Sequence, residues 1–335
     1  MKFGHIESYL LFGGGQVLFD TALSILERGR RVFLVTSRRH ASSLVKHGTE
    51  EVSLADALEA LEIPSTITAD VGDEEELDGL VTESAMGISV NAEWVFKQDF
   101  IEKFKGRLVN LHGTRLPRFR GGGGSSWRIM MSQQLGGCTI HLIDPGIDTG
   151  RIVIQYEYLV PEECRKPIDY DEYSTKQYYS ILQEFIDGVE RNRDFEITKQ
   201  QESMSAYWPR LNTDVHGYIN WSWSLYDIEI FINAFEDPYK GASSFIGGKR
   251  VYLKDVFSTL DDGSFHPFQA GLIYRQTAEC VFVAATQGSL VVQDIRDGKG
   301  VSVLERIHLG DRFYAPTHLL EAAMQYRCVY VPKKD

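Results

Sequence analysis

Asn110 and His112 stand two residues apart at the end of the short apolar run Leu108-Val109-Asn110-Leu111-His112. In an extended chain such a pair points to one face. A second apolar run, 140–143, ends in the tight turn Asp144-Pro145-Gly146 and delivers Asp148. A carboxamide, an imidazole and a carboxylate brought to adjacent strand ends suit general acid–base work with stabilisation of an oxyanion. Polar side chains at the end of a buried strand are costly unless something binds them. The first run breaks at Gly113, and in open α/β sheets the carboxyl ends of strands are where ligands sit. Four glycines, 121–124, let backbone approach a bulky ligand closely. A strand-end histidine is also commonly a satisfied structural residue, and spacing alone leaves both roles open.

These groups need a frame, and the first half of the chain supplies one. Apolar runs at 9–12, 31–35, 86–90 and 108–111 predict strands. Helical spacing marks 17–26 and 54–61, the latter ended by Ile63-Pro64. Short apolar runs alternating with amphipathic helices predict an α/β domain built on a mainly parallel sheet. Ser174 is expected to cap a long helix running to about residue 191. The polar stretch 192–205 shows no apolar face and is expected to connect two domains. Beyond it, 227–235 has the pattern of a short helix. Strand-like runs at 244–246, 251–253, 271–274, 280–284 and 289–292, with Gly247-Gly248 and Gln287-Gly288 as turns, predict a small antiparallel barrel or sandwich.

With 335 residues, two domains are expected. Hydrophobic residues make up 43% and charged residues 24%, an ordinary globular balance. No apolar stretch is long enough to span a membrane, and the first residues lack a signal-peptide layout, so a cytoplasmic protein is expected. Cys138, Cys164, Cys280 and Cys328 are scattered, as reduced thiols would be. A net charge of −12 argues against a polyanionic partner. Gly13-Gly14-Gly15 follows a strand and precedes a helix, as a dinucleotide loop would. Leu18, however, occupies the place of the third glycine, and Thr36-Ser37-Arg38-Arg39 offers no acid for a ribose.

Two segments carry a family likeness. One runs from Val109 through Asn110-Leu111-His112-Gly113-Thr114-Arg115-Leu116-Pro117 to Arg120-Gly121. The other runs from Gly137-Cys138-Thr139 to Asp144-Pro145-Gly146-Ile147-Asp148-Thr149-Gly150. Together they resemble the signature of the folate-dependent formyltransferases: Asn-x-His-x-Ser-x-Leu-Pro, then Arg-Gly, Gly-x-Thr and Asp-x-Gly-x-Asp-x-Gly. Gly113-Thr114 stands where that family commonly has Pro-Ser. The threonine keeps the hydroxyl, and the glycine is expected to open space for a different acceptor. Further on, Gly217-Tyr218-Ile219-Asn220-Trp221 and Pro238-Tyr239-Lys240-Gly241-Ala242 resemble the start of the smaller domain of two-domain members.

The resemblance implies a Rossmann-like catalytic domain over 1–205 and an OB-like domain over 206–335. It implies Asn110, His112 and Asp148 as catalytic residues and 10-formyltetrahydrofolate as cosubstrate, with no metal. Trp94, Val95 and Phe96 would line the pterin pocket largely through backbone groups. The alternative for them is a core aromatic pair at a helix start. Asp144, Gly146 and Ile147 would form the opposite wall. Thr114, Arg120, Gly121 and Trp127 are expected near the acceptor, with a core role open for the tryptophan. Among acceptors, an amino sugar on a nucleotide diphosphate fits best, making both partners small molecules. A charged tRNA needs phosphate neutralisation, whereas residues 207–335 hold 13 Lys and Arg against 15 Asp and Glu. No nucleic acid or membrane partner is expected, and a homodimer is admitted. The alternatives are methionyl-tRNA formylation, formylation of another small amine, and a non-catalytic folate- or nucleotide-binding module.

Overall fold

Ala85–Val90 is buried at every position, as a strand covered by helices on both faces must be. It lies at the centre of a seven-stranded sheet ordered Ile152–Leu159, Leu135–Leu142, Leu108–His112, Ala85–Val90, Ser8–Gly13, Arg31–Thr36 and Ser65–Ile67. The last five of these run parallel; Leu135–Leu142 runs against them, and Ile152–Leu159, antiparallel to Leu135–Leu142, runs with them again. The computed structural model describes residues 1–72, 75–122 and 124–328. Gln16–Glu27 and Pro167–Glu190 cover one face of the sheet, sharing a core with Leu11, Ile88, Val109 and Ile140. A second cluster of Leu10, Phe12, Trp94, Phe96, Phe100 and Phe104 fills the other face. The mainly parallel α/β domain is therefore as expected.

The direction of Leu135–Leu142 is not. It pairs antiparallel with Leu108–His112, in the register Asn110 to His141 and His112 to Thr139. Facing residues of an antiparallel pair project from the same side. The candidate residues therefore gather on one face of the sheet rather than at two strand ends lying abreast.

The long helix begins at Pro167, seven residues before the expected Ser174. Proline at the first position suits a helix start, and the Asp169 carboxylate accepts from the backbone N–H groups of Arg165 and Lys166, both at 2.9 Å. Ser174 is buried inside the helix. The stretch 192–205 is not a free connection either. Phe195 is buried in the first core, and Thr198 pairs with Ile152.

The second unit is a five-stranded antiparallel sheet ordered Ala242–Ile246, Lys249–Thr259, Gly288–Arg296, Val281–Ala285 and Ile273–Gln276. Bridges from Tyr314 to Phe245 and from Arg312 to Leu272 join its two edges, so it closes as a barrel rather than a sandwich. Leu225–Ala234 packs its Ile228, Phe231 and Ile232 against it, capped by Ser224, whose hydroxyl accepts from the Asp227 N–H. No described helix is long and apolar enough to cross a membrane.

Candidate active site

Asn110, His112 and His141 project from one sheet face, and the 143–150 loop folds Asp148 over them. One Asp148 carboxylate oxygen lies 3.5 Å from Nδ1 of His112 and 3.5 Å from Nε2 of His141. The other accepts from the Gly121 N–H at 2.9 Å. All three side chains are nearly enclosed, with exposures of 11% for His112, 4% for His141 and 14% for Asp148. Burial alone would raise the Asp148 carboxyl. The two imidazoles and the Gly121 N–H outweigh burial and bring it down to about 2. Asp148 has φ 55°, the left-handed region that aspartate tolerates better than most residues.

His112 presents its other nitrogen, Nε2, to the Phe119 carbonyl oxygen at 2.6 Å. A carbonyl can only accept, so this nitrogen carries the proton. The expectation that His112 donates toward a reacting oxygen therefore needs one change. The donor is set in the right tautomer, but in this arrangement it is engaged by backbone. The amide nitrogen of Asn110 lies 3.1 Å from Nε2 of His141, whose Nδ1 is 2.8 Å from the Leu142 carbonyl oxygen. The second N–H of Asn110 has no partner among the described residues. His141 links the carboxamide to the carboxylate and was missed from sequence. The available signal was the polar pair Thr139 and His141, two apart within an apolar strand.

The acceptor-side candidates are placed differently from expectation. The Thr114 hydroxyl donates to the same Phe119 carbonyl oxygen at 2.7 Å. Thr114 is buried, so it braces the 114–119 turn and reaches His112 only through that shared carbonyl. Arg120 is 7% exposed. Its guanidinium donates to Gln200 and Glu202, so it is a strut and not a free cation for substrate. Gly121 has φ 91°, and a Cβ there would come 2.5 Å from the Trp208 carbonyl oxygen. Its N–H donates to the Asp148 carboxylate, which makes it a support of the 143–150 loop. The Trp127 indole donates to the Pro209 carbonyl oxygen at 2.8 Å and its ring meets Trp208, the structural alternative for that residue. The space expected from Gly113 is taken, because a Cβ there would lie 2.7 Å from the Tyr178 hydroxyl.

On the donor side, the Trp94 and Phe96 side chains belong to the core. The Trp94 indole donates to the Ala69 carbonyl oxygen at 3.0 Å, and Phe96 packs against Phe12 and Phe100. Residues 92–97 precede the helix Gln98–Lys103 as irregular chain. Among the described residues, no backbone N–H of 92–96 donates to another protein group. Val95 is 62% exposed and Ile147 is 48% exposed. Ile143, at the start of the loop that carries Ile147, packs against the same cluster as Trp94 and Phe96. The Asp144 carboxylate closes its own turn, accepting from the Gly146 N–H and the Thr149 hydroxyl. What this segment offers a flat heteroaromatic ring is thus unpaired backbone donors and the exposed Val95, with the exposed Ile147 on the neighbouring loop.

A recess lined by Arg115, Arg118, Phe119, Met204 and Trp208 is linked to His112 through Phe119, whose carbonyl oxygen bonds the imidazole. Arg118 is exposed, and while its carbonyl oxygen accepts from the Trp208 indole, its guanidinium has no partner among the described residues. The glycine turn at 13–15 is a close approach between elements. A Cβ at Gly13 would lie 1.9 Å from the Val90 carbonyl oxygen, and one at Gly14 would strike His40. Among the described residues, no group of three or more His, Cys, Asp or Glu is placed to share a cation.

Comparison with known proteins follows the same two units. The formyl transferase family matches residues 14–171, and the formyl transferase C-terminal domain matches residues 213–306. A methionyl-tRNA formyltransferase of Syntrophus aciditrophicus is 29% identical over 190 residues, covering 56% of this chain and 58% of that protein. The matched part thus spans less than two thirds of that relative's length. Among solved structures, WlaRD, a sugar 3N-formyl transferase with dTDP and 5-N-formyl-THF, superposes with TM-score 0.66 at 21% identity. It covers 87% of this chain and 98% of its own. An N-formyltransferase from Helicobacter canadensis, in complex with folinic acid and dTDP-3-aminofucose, gives TM-score 0.62 at 19% identity, covering 86% and 99%. At these identities the likeness of structure is one of fold.

Proposed function

The chain belongs to the formyl transferase family, and from that premise we propose that it moves a formyl group from 10-formyltetrahydrofolate to the amino group of a nucleotide-linked amino sugar. The observation that carries this proposal is the enclosed set of Asn110, His112 and Asp148 on one sheet face. The catalytic domain is assigned to 1–205 and the OB-like domain to 206–335. The donor's ring is assigned to the segment 94–96, which has free backbone N–H groups and the exposed Val95, and to the loop 144–147, which adds the exposed Ile147.

The acceptor amine attacks the formyl carbon as the neutral base. A carbon–nitrogen bond forms, and the carbonyl oxygen takes up negative charge. The free N–H of Asn110 and the Nε2–H of His112, handed over from the Phe119 carbonyl, meet that oxygen. One such donor is typically worth about 10²–10³ in rate. Collapse breaks the bond to the folate nitrogen, which takes a proton as the acceptor nitrogen loses one. Asp148, already ionised, holds His112 in the donating form and steadies the positive charge on it as protons pass through water.

The choice of a sugar nucleotide is supported by the exposed Arg118 guanidinium at the Phe119 recess, where Arg115 is already tied to Glu157, and by the acidic balance of the second domain, which suits a small anion better than a tRNA. Four unpaired thiols suit a reducing compartment such as the cytoplasm. A second reading, formylation of methionyl-tRNA, is favoured by the sequence relatives. The deciding experiment is a formyl-transfer assay with 10-formyltetrahydrofolate against a panel of amino-sugar nucleotides and charged initiator tRNA. Turnover of at least one sugar nucleotide and none of tRNA is expected. Turnover of tRNA alone, or salt-sensitive submicromolar tRNA binding, overturns the acceptor assignment.

A further inference from the structure

Gln200 lies in the stretch that the sequence presents as a linker, yet it is only 5% exposed. Its amide nitrogen donates to the Asp148 carbonyl oxygen at 2.8 Å and to the Gly150 carbonyl oxygen at 2.6 Å. Its amide oxygen accepts from Nε and Nη2 of Arg120 at 3.1 and 2.9 Å. A carboxamide has two N–H groups and two accepting lone pairs, and all four are used. Arg120 is secured in turn by Glu202, at 3.0 and 2.7 Å. The residue next to Arg120 is Gly121, whose N–H holds the Asp148 carboxylate.

One buried amide therefore grips the backbone on both sides of Thr149, and the arginine that grips the amide is joined directly to the glycine that grips the carboxylate. Such support adds to the hold on Asp148, whose left-handed backbone, though tolerated by aspartate, is sparsely populated by residues other than glycine. We propose that Gln200 is a positioning residue of the catalytic site, clamping the Asp148 turn so that its carboxylate stays between His112 and His141. The kinetic consequence rests on the formyltransferase assignment, whereas the clamp itself does not.

Gln200→Glu separates the two halves of the clamp. The carboxylate still accepts from Arg120, with a charge-assisted bond, but it cannot donate to the carbonyls of Asp148 and Gly150. Hydrogen exchange of peptides covering 144–151 is compared in the full-length wild type and variant, alongside melting, kcat and KM. A lowered melting temperature with the fold retained is expected, with clearly faster exchange confined to this turn. In the active enzyme, kcat should fall by about tenfold or more, with KM for donor and acceptor little changed. In an Asp148→Asn background, adding Gln200→Glu should cost little further, since the amide acts through Asp148. Unchanged exchange at 144–151 overturns the clamp. Unchanged kcat, or an equal further loss in the Asp148→Asn background, overturns the positioning role. Were the wild type inactive on every acceptor, that failure would belong to the formyltransferase assignment, and the exchange comparison would still decide the clamp.

Discussion

His112 and Thr114 share one acceptor, the carbonyl oxygen of Phe119, at 2.6 and 2.7 Å. The Nε2 nitrogen of His112 is thus kept protonated by a turn that, in the proposed mechanism, must yield its carbonyl before the imidazole can meet a substrate oxygen. The enclosed set around that donor makes the first prediction. His112→Asn and Asp148→Asn should each cost at least a factor of about ten in turnover, or about 1.4 kcal/mol of transition-state stabilisation. The double variant should be little worse than either single one. Turnover and melting are measured on the same preparations. A lowered melting temperature with near-normal turnover would show that the residues are structural only.

The depressed Asp148 carboxyl sets an acid limit on stability. An aspartate ordinarily titrates near 3.8 and this one near 2. The folded state therefore binds that proton less readily than the unfolded chain. The associated stability is fully present above about pH 4 and is lost as pH falls through about 2. It amounts to about 2 kcal/mol. Urea unfolding of wild type and Asp148→Asn at pH 5 and pH 2.5 should show a steeper loss in the wild type. Parallel losses would contradict the assigned environment.

Tyr178 occupies the space beside Gly113 and donates its hydroxyl to the Gly113 carbonyl oxygen at 2.8 Å. Gly113→Ala should destabilise by about 1–3 kcal/mol through overpacking. Adding Tyr178→Phe removes the nearest clashing atom and should recover part of that loss, read by chemical denaturation. A double variant less stable than Gly113→Ala alone would place the strain elsewhere.

Arg120 separates a strut from a substrate contact. Arg120→Ala leaves the buried Gln200 oxygen unsatisfied, a cost of about 1–3 kcal/mol. Melting and kcat should fall while KM for the acceptor stays within about twofold. A large rise in acceptor KM at unchanged melting would restore the binding role expected from sequence.

Much of this site was legible in the chain before its fold was known, and the rest was hidden for physical reasons. Runs such as 86–90 betray buried parallel strands because covering both faces leaves no polar alternation. Periodicity carries no strand direction, so nothing in 140–143 announced that its strand runs against Leu108–His112. Asp148 was found by motif spacing alone. His141 bore the same two-residue signal as Asn110 and His112 and went unused. Arg120 looked available because a sequence shows a charge but not its partners, and Gln200 and Glu202 lie eighty residues further on. Polar composition at 192–205 suggested looseness, yet Gln200 is buried against the Asp148 turn, and Asp194 and Glu202 are tied to the Met1 amino group and to Arg120.

The helix Pro167–Glu190 gives Tyr170 to the barrel's core and Ile181, Leu182 and Phe185 to the sheet's core. Ile129 and Val160, from the sheet-bearing part, also lie in the barrel's core. Lys166 and Arg165 pair with Glu236 and Glu229 across the same seam. The two halves therefore share mortar as well as a chain. Heat should melt them together in one transition, and a fragment cut at residue 205 would carry raw apolar surface at Ile129, Val160 and Tyr170, inviting aggregation. A swap of the second half between relatives would need this helix's first turns to travel with it.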